Sequence, residues 1–150
     1  LVEQLRLAAT DRSIDRILLE GKGNSFCTGG DLNEFGLLDS TSDAHLIRMV
    51  NNPAYWMSKL HDRMSVHLNG KCMGAGIELA AFSDKVIADE TVSISLPEIK
   101  MGLIPGAGGT VSIPRRIGPQ KTAYLALSGQ SIDSQTALDW KLVNEIIPPL

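Results

Sequence analysis

The stretch SVHLNGKCMGAGIELAAF, residues 65–82, decides the fold. Residues 65–68 form a short apolar run of strand type; Gly70, Gly74 and Gly76 then bring a loop, and IELAAF can start a helix. Upstream, apolar residues at 2, 5, 7, 8 and 9 predict a helix, Asp11 to Asp15 make a polar break, and Ile17 to Leu19 read as a short buried strand. Gly21, Gly23 and Asn24 mark a loop. It runs into FCTGGDL, residues 26–32, where Gly29 and Gly30 permit backbone torsions that other residues avoid, so a turn with exposed backbone is expected. Residues 33–60, with Pro53 interrupting them, predict one or two helices around a mobile loop. Downstream, Lys85 to Ala88 and Val92 to Leu96 are β-rich; PEIKMGLIPGAGG and the amphipathic TVSIPRRIG follow. Asp133 or Ser134 can cap a last helix through Trp140, and LVNEIIP predicts a closing strand. The repeated alternation of strand and helix argues for α/β architecture.

Composition narrows the function classes. The chain has 150 residues, 43% hydrophobic and 21% charged, which suits one globular unit, residues 1–150. A formal net charge of -3 supplies no basic field for a phosphate backbone, so neither nucleic acid nor an anionic membrane is an expected partner. No apolar run approaches the roughly 18 residues of a spanning helix. Cys27 and Cys72 are far apart in sequence, outside any CxxC pair, which fits reduced thiols in a cytoplasmic compartment or an organelle matrix. The chain begins at Leu1, already inside an amphipathic pattern, and stops at Leu150 after two prolines; it reads as a piece of a longer protein.

The loop GAG-x-E, ending at Glu78, can aim backbone N–H groups outward at a helix N-terminus, a setting that holds an anion. Glu78 on the first turn also fits a plain partner of the helix dipole, and Glu98, after Pro97, taken alone fits a solvated surface acid. Dinucleotide and nucleotide-phosphate loops are disfavoured: neither GAGIEL nor GAGGTV has the third glycine, and no GK[ST] follows a glycine. No GxSxG is present, and His45, His61 and His67 lack zinc-ligand spacing, so no metal is expected. Cys27 suits a small residue at a strand end better than a nucleophile, and His67 a satisfied core or edge histidine better than a base. Asp31 and Asp84 fit turn or cap roles, and the PGAGG turn, residues 105–109, a structural one, with amides facing a ligand as the alternative.

Taken together, FCTGGDL, the long run from NGKCMGAGIE to PGAGGT, PRRIG, and the SGQSID and LVNEIIP tail resemble the crotonase (enoyl-CoA hydratase/isomerase) superfamily, in the same order and spacing from about Ile17 to Pro148. The resemblance implies a spiral of repeated ββα units, of which the chain holds the core; additional N-terminal strands and a C-terminal helical trimerisation segment are missing. It implies an acyl-CoA substrate, coenzyme A being part of that substrate and no separate cofactor, and a homo-oligomer, trimeric or hexameric in the parent enzyme. It also implies an oxyanion hole from the N–H groups of Gly30 and Ala75, and catalytic roles for Glu78 and Glu98. By the same matching, Cys27, Thr28, Gly29, Asp31, Leu32, Gly74, Pro97 and Gly106 are substrate-binding positions.

Relatives that only isomerise the double bond commonly lack a carboxylate at the Glu78 position, so the pair favours hydration of a 2-enoyl-CoA. Glu78 is then the water-activating group and Glu98 the proton donor, roles that can also be exchanged or shared. An isomerase or thioester hydrolase of the same fold, and a non-catalytic acyl-CoA-binding or oligomerising remnant, are the other readings. Trp140 stands where relatives often have glycine, and His67 where they usually have a small residue.

Overall fold

Strand β1 (Ile17–Glu20) and strand β2 (Ser25–Cys27) follow one another closely, yet they enter different sheets. That step recurs at β3/β4 and β5/β6 in the computed structural model, which describes residues 1–34 and 40–149. Helix α1 (Val2–Thr10) precedes the first pair, and α2 (Thr41–Val50) and α3 (Pro53–Lys59) follow it. Next come β3 (Met64–Leu68), β4 (Lys71–Met73) and α4 (Ala75–Ala80), then β5 (Lys85–Asp89), β6 (Ser93–Ser95) and α5 (Gly109–Ser128). Strand β7 (Ile132–Asp133), helix α6 (Ser134–Asp139) and strand β8 (Glu145–Ile147) close the chain. One sheet has the order β1-β3-β5-β8, all parallel; the other runs β2-β4-β6, parallel, with β7 antiparallel at its edge. Each strand–strand–helix turn therefore adds one strand to each sheet, which is the ββα spiral that the resemblance implies.

Burial follows from position in the sheets. Strand β3 lies between β1 and β5 and is buried at Met64, Val66, His67 and Leu68, the near-continuous pattern of a parallel strand covered on both faces. Strand β1, at the edge, leaves Leu18 in solvent. The main core gathers Val66, Leu68, Ile77, Val86, Ile94, Leu96, Ile113 and Leu125, and a second cluster of Leu5, Ala8, Met57, Leu60 and Met64 seats α1 and α3. Burying side chains of that size stabilises the fold by about 1.5–3 kcal/mol each.

Local chemistry sets the helix ends. Pro53 is the first residue of α3, and the Asn52 side chain accepts from the Tyr55 N–H at 3.0 Å, so this proline starts a helix where the sequence suggested an interruption. Asp133 caps α6 as expected, accepting from the Thr136 N–H at 2.8 Å. The amphipathic TVSIPRRIG belongs to α5, whose two helical segments meet at Gly118 (φ 79) and which runs on to Ser128.

Two elements depart from the expectation. Strands β2 and β4 occupy segments read as loops, because three residues flanked by glycines carry no periodicity of their own and are held as strands by their neighbours. The mobile loop expected between 33 and 60 falls partly on residues 35–39, outside the described residues, as does Leu150.

Candidate active site

Strands β2, β4 and β6 are parallel neighbours, so their C-terminal ends lie along one edge of the sheet. The segments that follow them are Thr28 to Gly30, Gly74 to Ala75, and Pro97 to Glu98. Open parallel sheets place ligands at that edge. The three segments also touch. A Cβ on Gly74 (φ 50) would sit 2.6 Å from Glu98 Oε1 and 4.0 Å from the Gly29 Cα, and a Cβ on Gly29 would be 3.5 Å from the Met73 carbonyl oxygen. Gly76 fills a similar need, since a Cβ there would meet the Cys27 carbonyl oxygen at 2.7 Å. Without these side chains α4 can start directly against the end of β2.

Among the described residues, neither the Gly30 nor the Ala75 N–H donates a hydrogen bond, and Ala75 is the first residue of α4, where helical amides have no partner within the helix. Gly30 is exposed and Ala75 half-buried.

Glu78 lies on α4 and is only 2% exposed. Its Oε2 accepts from the Ala107 N–H and the Gly109 N–H, each at 2.8 Å, and the Ser112 hydroxyl donates to its backbone carbonyl at 2.6 Å. Burial pushes the Glu78 carboxyl above the ordinary glutamate range; the two amides pull it back in part, and the charge of neighbouring Glu98 adds to the rise. Glu98 sits on a 3-10 turn, Pro97–Met101, and is 9% exposed, with Oε2 buried and unpartnered among the described residues. Glu98 is therefore no solvated surface acid, and Glu78, in the first turn of α4 where a dipole partner would sit, is a buried carboxyl beside it. Unpartnered buried oxygens are costly, and sites of reaction are where such costs are retained.

The remaining candidate positions divide. Cys27, Thr28 and Gly29 line the end of β2 with Gly30, and Gly74 and Pro97 adjoin Glu98. Asp31 closes a turn by accepting from the Asn33 N–H at 2.9 Å, and Leu32 is 61% exposed. Gly106 offers its carbonyl to Arg48 Nη2 at 2.6 Å. The sequence carries no direct sign of Ala107, Gly109 and Ser112 as supports of Glu78; the PGAGG turn is the available signal, and its amides face the Glu78 carboxylate rather than serving the turn alone. His67 is buried as expected, but among the described residues its ring makes no hydrogen bond: Nδ1 lies 3.6 Å from Glu20 Oε1, beyond hydrogen-bond distance, and Nε2 has no partner. Cys27 and Cys72, distant in sequence, are register partners on β2 and β4, and both are free thiols.

Cavities of about 290 and 400 Å³ open between α3, α4 and α5, lined by Ser58, Phe82 and Arg115 among others; neither carboxyl lines them. No group of three or more His, Cys, Asp or Glu side chains suited to a metal occurs among the described residues, and no helix among them is long and apolar enough to cross a membrane.

The two-sheet spiral, with glycine loops and paired glutamates at its strand ends, is the crotonase fold. The family model described as enoyl-CoA hydratase/isomerase matches residues 1–149, and the chain belongs to that family. It is 37% identical over 150 residues to the 2,3-dehydroadipyl-CoA hydratase of Escherichia coli (strain K12), an alignment covering 99% of this chain and 57% of that protein. Among solved structures it resembles the enoyl-CoA hydratase of Thermoplasma volcanium GSS1 with a TM-score of 0.87 and 32% identity, covering 98% of this chain and 59% of the other. The enoyl-CoA hydratase of Bacillus anthracis gives 0.86 and 31%, covering 97% and 57%. The chain spans a little over half the length of these relatives.

Proposed function

We propose that this chain carries the catalytic core of an enoyl-CoA hydratase, adding water across the double bond of a 2-enoyl-CoA thioester. The observation that carries the reading is the neighbouring pair of buried carboxyls, Glu78 and Glu98, at the same sheet edge as the amides of Gly30 and Ala75. Those two amides serve as the oxyanion hole for the thioester oxygen. Donors placed in advance for the enolate charge can each lower the barrier by about 2.7–4 kcal/mol.

The chemistry is divided between the glutamates. With Oε2 held by Ala107 and Gly109, Glu78 keeps Oε1 to take a proton from water as that water attacks Cβ. A carboxylate whose proton affinity is raised by burial is a better base than a solvated one. Glu98 delivers a proton to Cα of the enolate, giving the 3-hydroxyacyl-CoA; transfer of the captured proton from Glu78 to Glu98 restores the starting state. Delivery of hydrogen and hydroxyl by two neighbouring carboxyls puts both on the same face, a syn addition. Acid–base groups and amides suffice, with coenzyme A entering as part of the substrate.

We further propose that the whole enzyme is a homo-oligomer, trimeric or hexameric, working in the cytoplasm or an organelle matrix. Apolar side chains left in solvent on α2 and α5, among them Leu46, Met49 and Leu127, support assembly.

Spectroscopic loss of the conjugated enoyl thioester tests the activity. Glu78→Gln and Glu98→Gln should each slow it by about 10² to 10⁴-fold with little change in ligand affinity. Near-normal turnover in either variant would sink the reading.

A further inference from the structure

The peptide bond between Gly106 and Ala107 is engaged at both ends. Its N–H donates to Glu78 Oε2 at 2.8 Å, and its carbonyl accepts from Arg48 Nη2 at 2.6 Å. Arg48 comes from α2, 58 positions away in sequence from Gly106. The other amide on Glu78, from Gly109, has a different arrangement: its peptide carbonyl, on Gly108, accepts from the N–H groups of Val111 and Ser112 at the start of α5. One of the two supports of Glu78 is thus anchored in a helix, and the other depends on a side chain from a separate element.

Helix α2 has no buried residue. Leu46, Ile47, Met49 and Val50 are each about half exposed or more. Among the described residues, side-chain hydrogen bonds join it to other elements at two places: Arg48 to Gly106, and Arg6 Nη2 to the Val50 carbonyl at 2.8 Å. Its seat on the rest of the chain therefore rests on guanidinium–carbonyl bonds more than on packing.

We propose that Arg48 is a positioning residue: by holding and polarising the Gly106–Ala107 peptide, its guanidinium sets the amide that supports Glu78 and couples the seating of α2 to that carboxylate. A cationic donor on the carbonyl withdraws electron density through the amide and strengthens what its N–H gives to the carboxylate. When α2 moves away, Ala107 loses its polarisation and its anchor, while Gly109 keeps both. Arg48 touches no reacting atom in this arrangement.

This inference rests on the hydratase reading for its functional meaning, but its structural content is measurable without turnover. In proton–nitrogen correlation spectra of the 150-residue chain, Arg48→Met should move the Ala107 amide proton upfield and leave the Gly109 amide nearly in place. Arg48→Lys, which keeps the charge, should return part of the shift. If the chain hydrates an enoyl-CoA, Arg48→Met should also lower kcat about tenfold with KM little changed, as expected when a reacting group is slightly misplaced. An unmoved Ala107 amide, or equal movement of Ala107 and Gly109, overturns the proposal. A chain that turns over no enoyl-CoA, yet shows the selective Ala107 shift, defeats the hydratase reading and leaves the Arg48 coupling standing.

Discussion

The Gly109 N–H lies 2.8 Å from Glu78 Oε2 across 31 positions of sequence, and the approach is so close that a Cβ on Gly109 would stand 2.5 Å from Glu78 Cγ. Both residues are buried, and the backbone of Gly109 leaves little room for the carboxylate to retreat. Gly109→Ala should therefore destabilise the fold by about 1–3 kcal/mol through overpacking. It should also displace the carboxylate and depress hydration. Urea unfolding and enoyl-thioester turnover check both; wild-type stability with wild-type turnover would contradict the contact.

Gly74→Ala makes a parallel demand on the other glutamate. Gly74 has φ 50, where a residue with a side chain is strained, and its Cβ would fall 2.6 Å from Glu98 Oε1. Strain of this kind costs about 1–3 kcal/mol. The variant should lose stability in that range and bind an acyl-CoA more weakly, because Gly74 immediately precedes the Ala75 amide. Unchanged thioester affinity, measured by calorimetry, would separate Ala75 from the ligand.

The raised affinity of Glu78 for its proton links stability to pH. Its ordinary value is 4.5, and burial raises it in the folded chain, so the native state holds this proton more tightly than the unfolded state does. The stabilising contribution is complete below about pH 4.5 and is lost as pH rises through the higher native value, with a slope of at most about 1.4 kcal/mol per pH unit. Glu78→Gln carries no such proton. The stability of the wild type relative to this variant should be level at low pH and fall as pH increases, read from urea midpoints across pH. A difference that grows in favour of the wild type with increasing pH would reverse the sign and reject the assignment.

Thiol chemistry distinguishes the two strands on which Cys27 and Cys72 sit. Cys72 is wholly buried, and burial pushes its thiol up, with Cys27 adding to the effect; Cys27 itself is partly exposed. Thiolate is the reactive form, so an alkylating agent should modify Cys27 in the native chain and reach Cys72 only after denaturation. Mass spectrometry of the labelled peptides checks the order. Modification of Cys72 first would mean that the β2–β4 pair opens readily.

Much of the fold was legible because strands such as Met64–Leu68 and Lys85–Asp89 are apolar enough to announce themselves. Strands β2 and β4 were not, since Ser25–Cys27 and Lys71–Met73 are short, polar in part and bordered by glycines; pairing across the sheet makes them strands. The glutamates were legible as a pair only through resemblance. Locally, Glu78 and Glu98 look like a dipole partner and a surface acid, and burial is a property of the packed neighbours. Arg48 had no signal at all, because its partner is a carbonyl 58 positions away.

The parallel alignment of β2, β4 and β6 has one last consequence. The pairing acts as a ruler: Cys27 is aligned with Cys72 after a register shift in β2, and Met73 with Ser95 in the regular β4–β6 ladder, so the spacing between amide donors and Glu98 is measured by strand register. Deleting a single residue within Lys71–Met73 would draw Gly74 and Ala75 back by about 3.3 Å relative to their neighbours and turn over the side-chain directions of the strand residues that follow the cut. Such a deletion could leave every reactive group present while putting the ruler out by one mark.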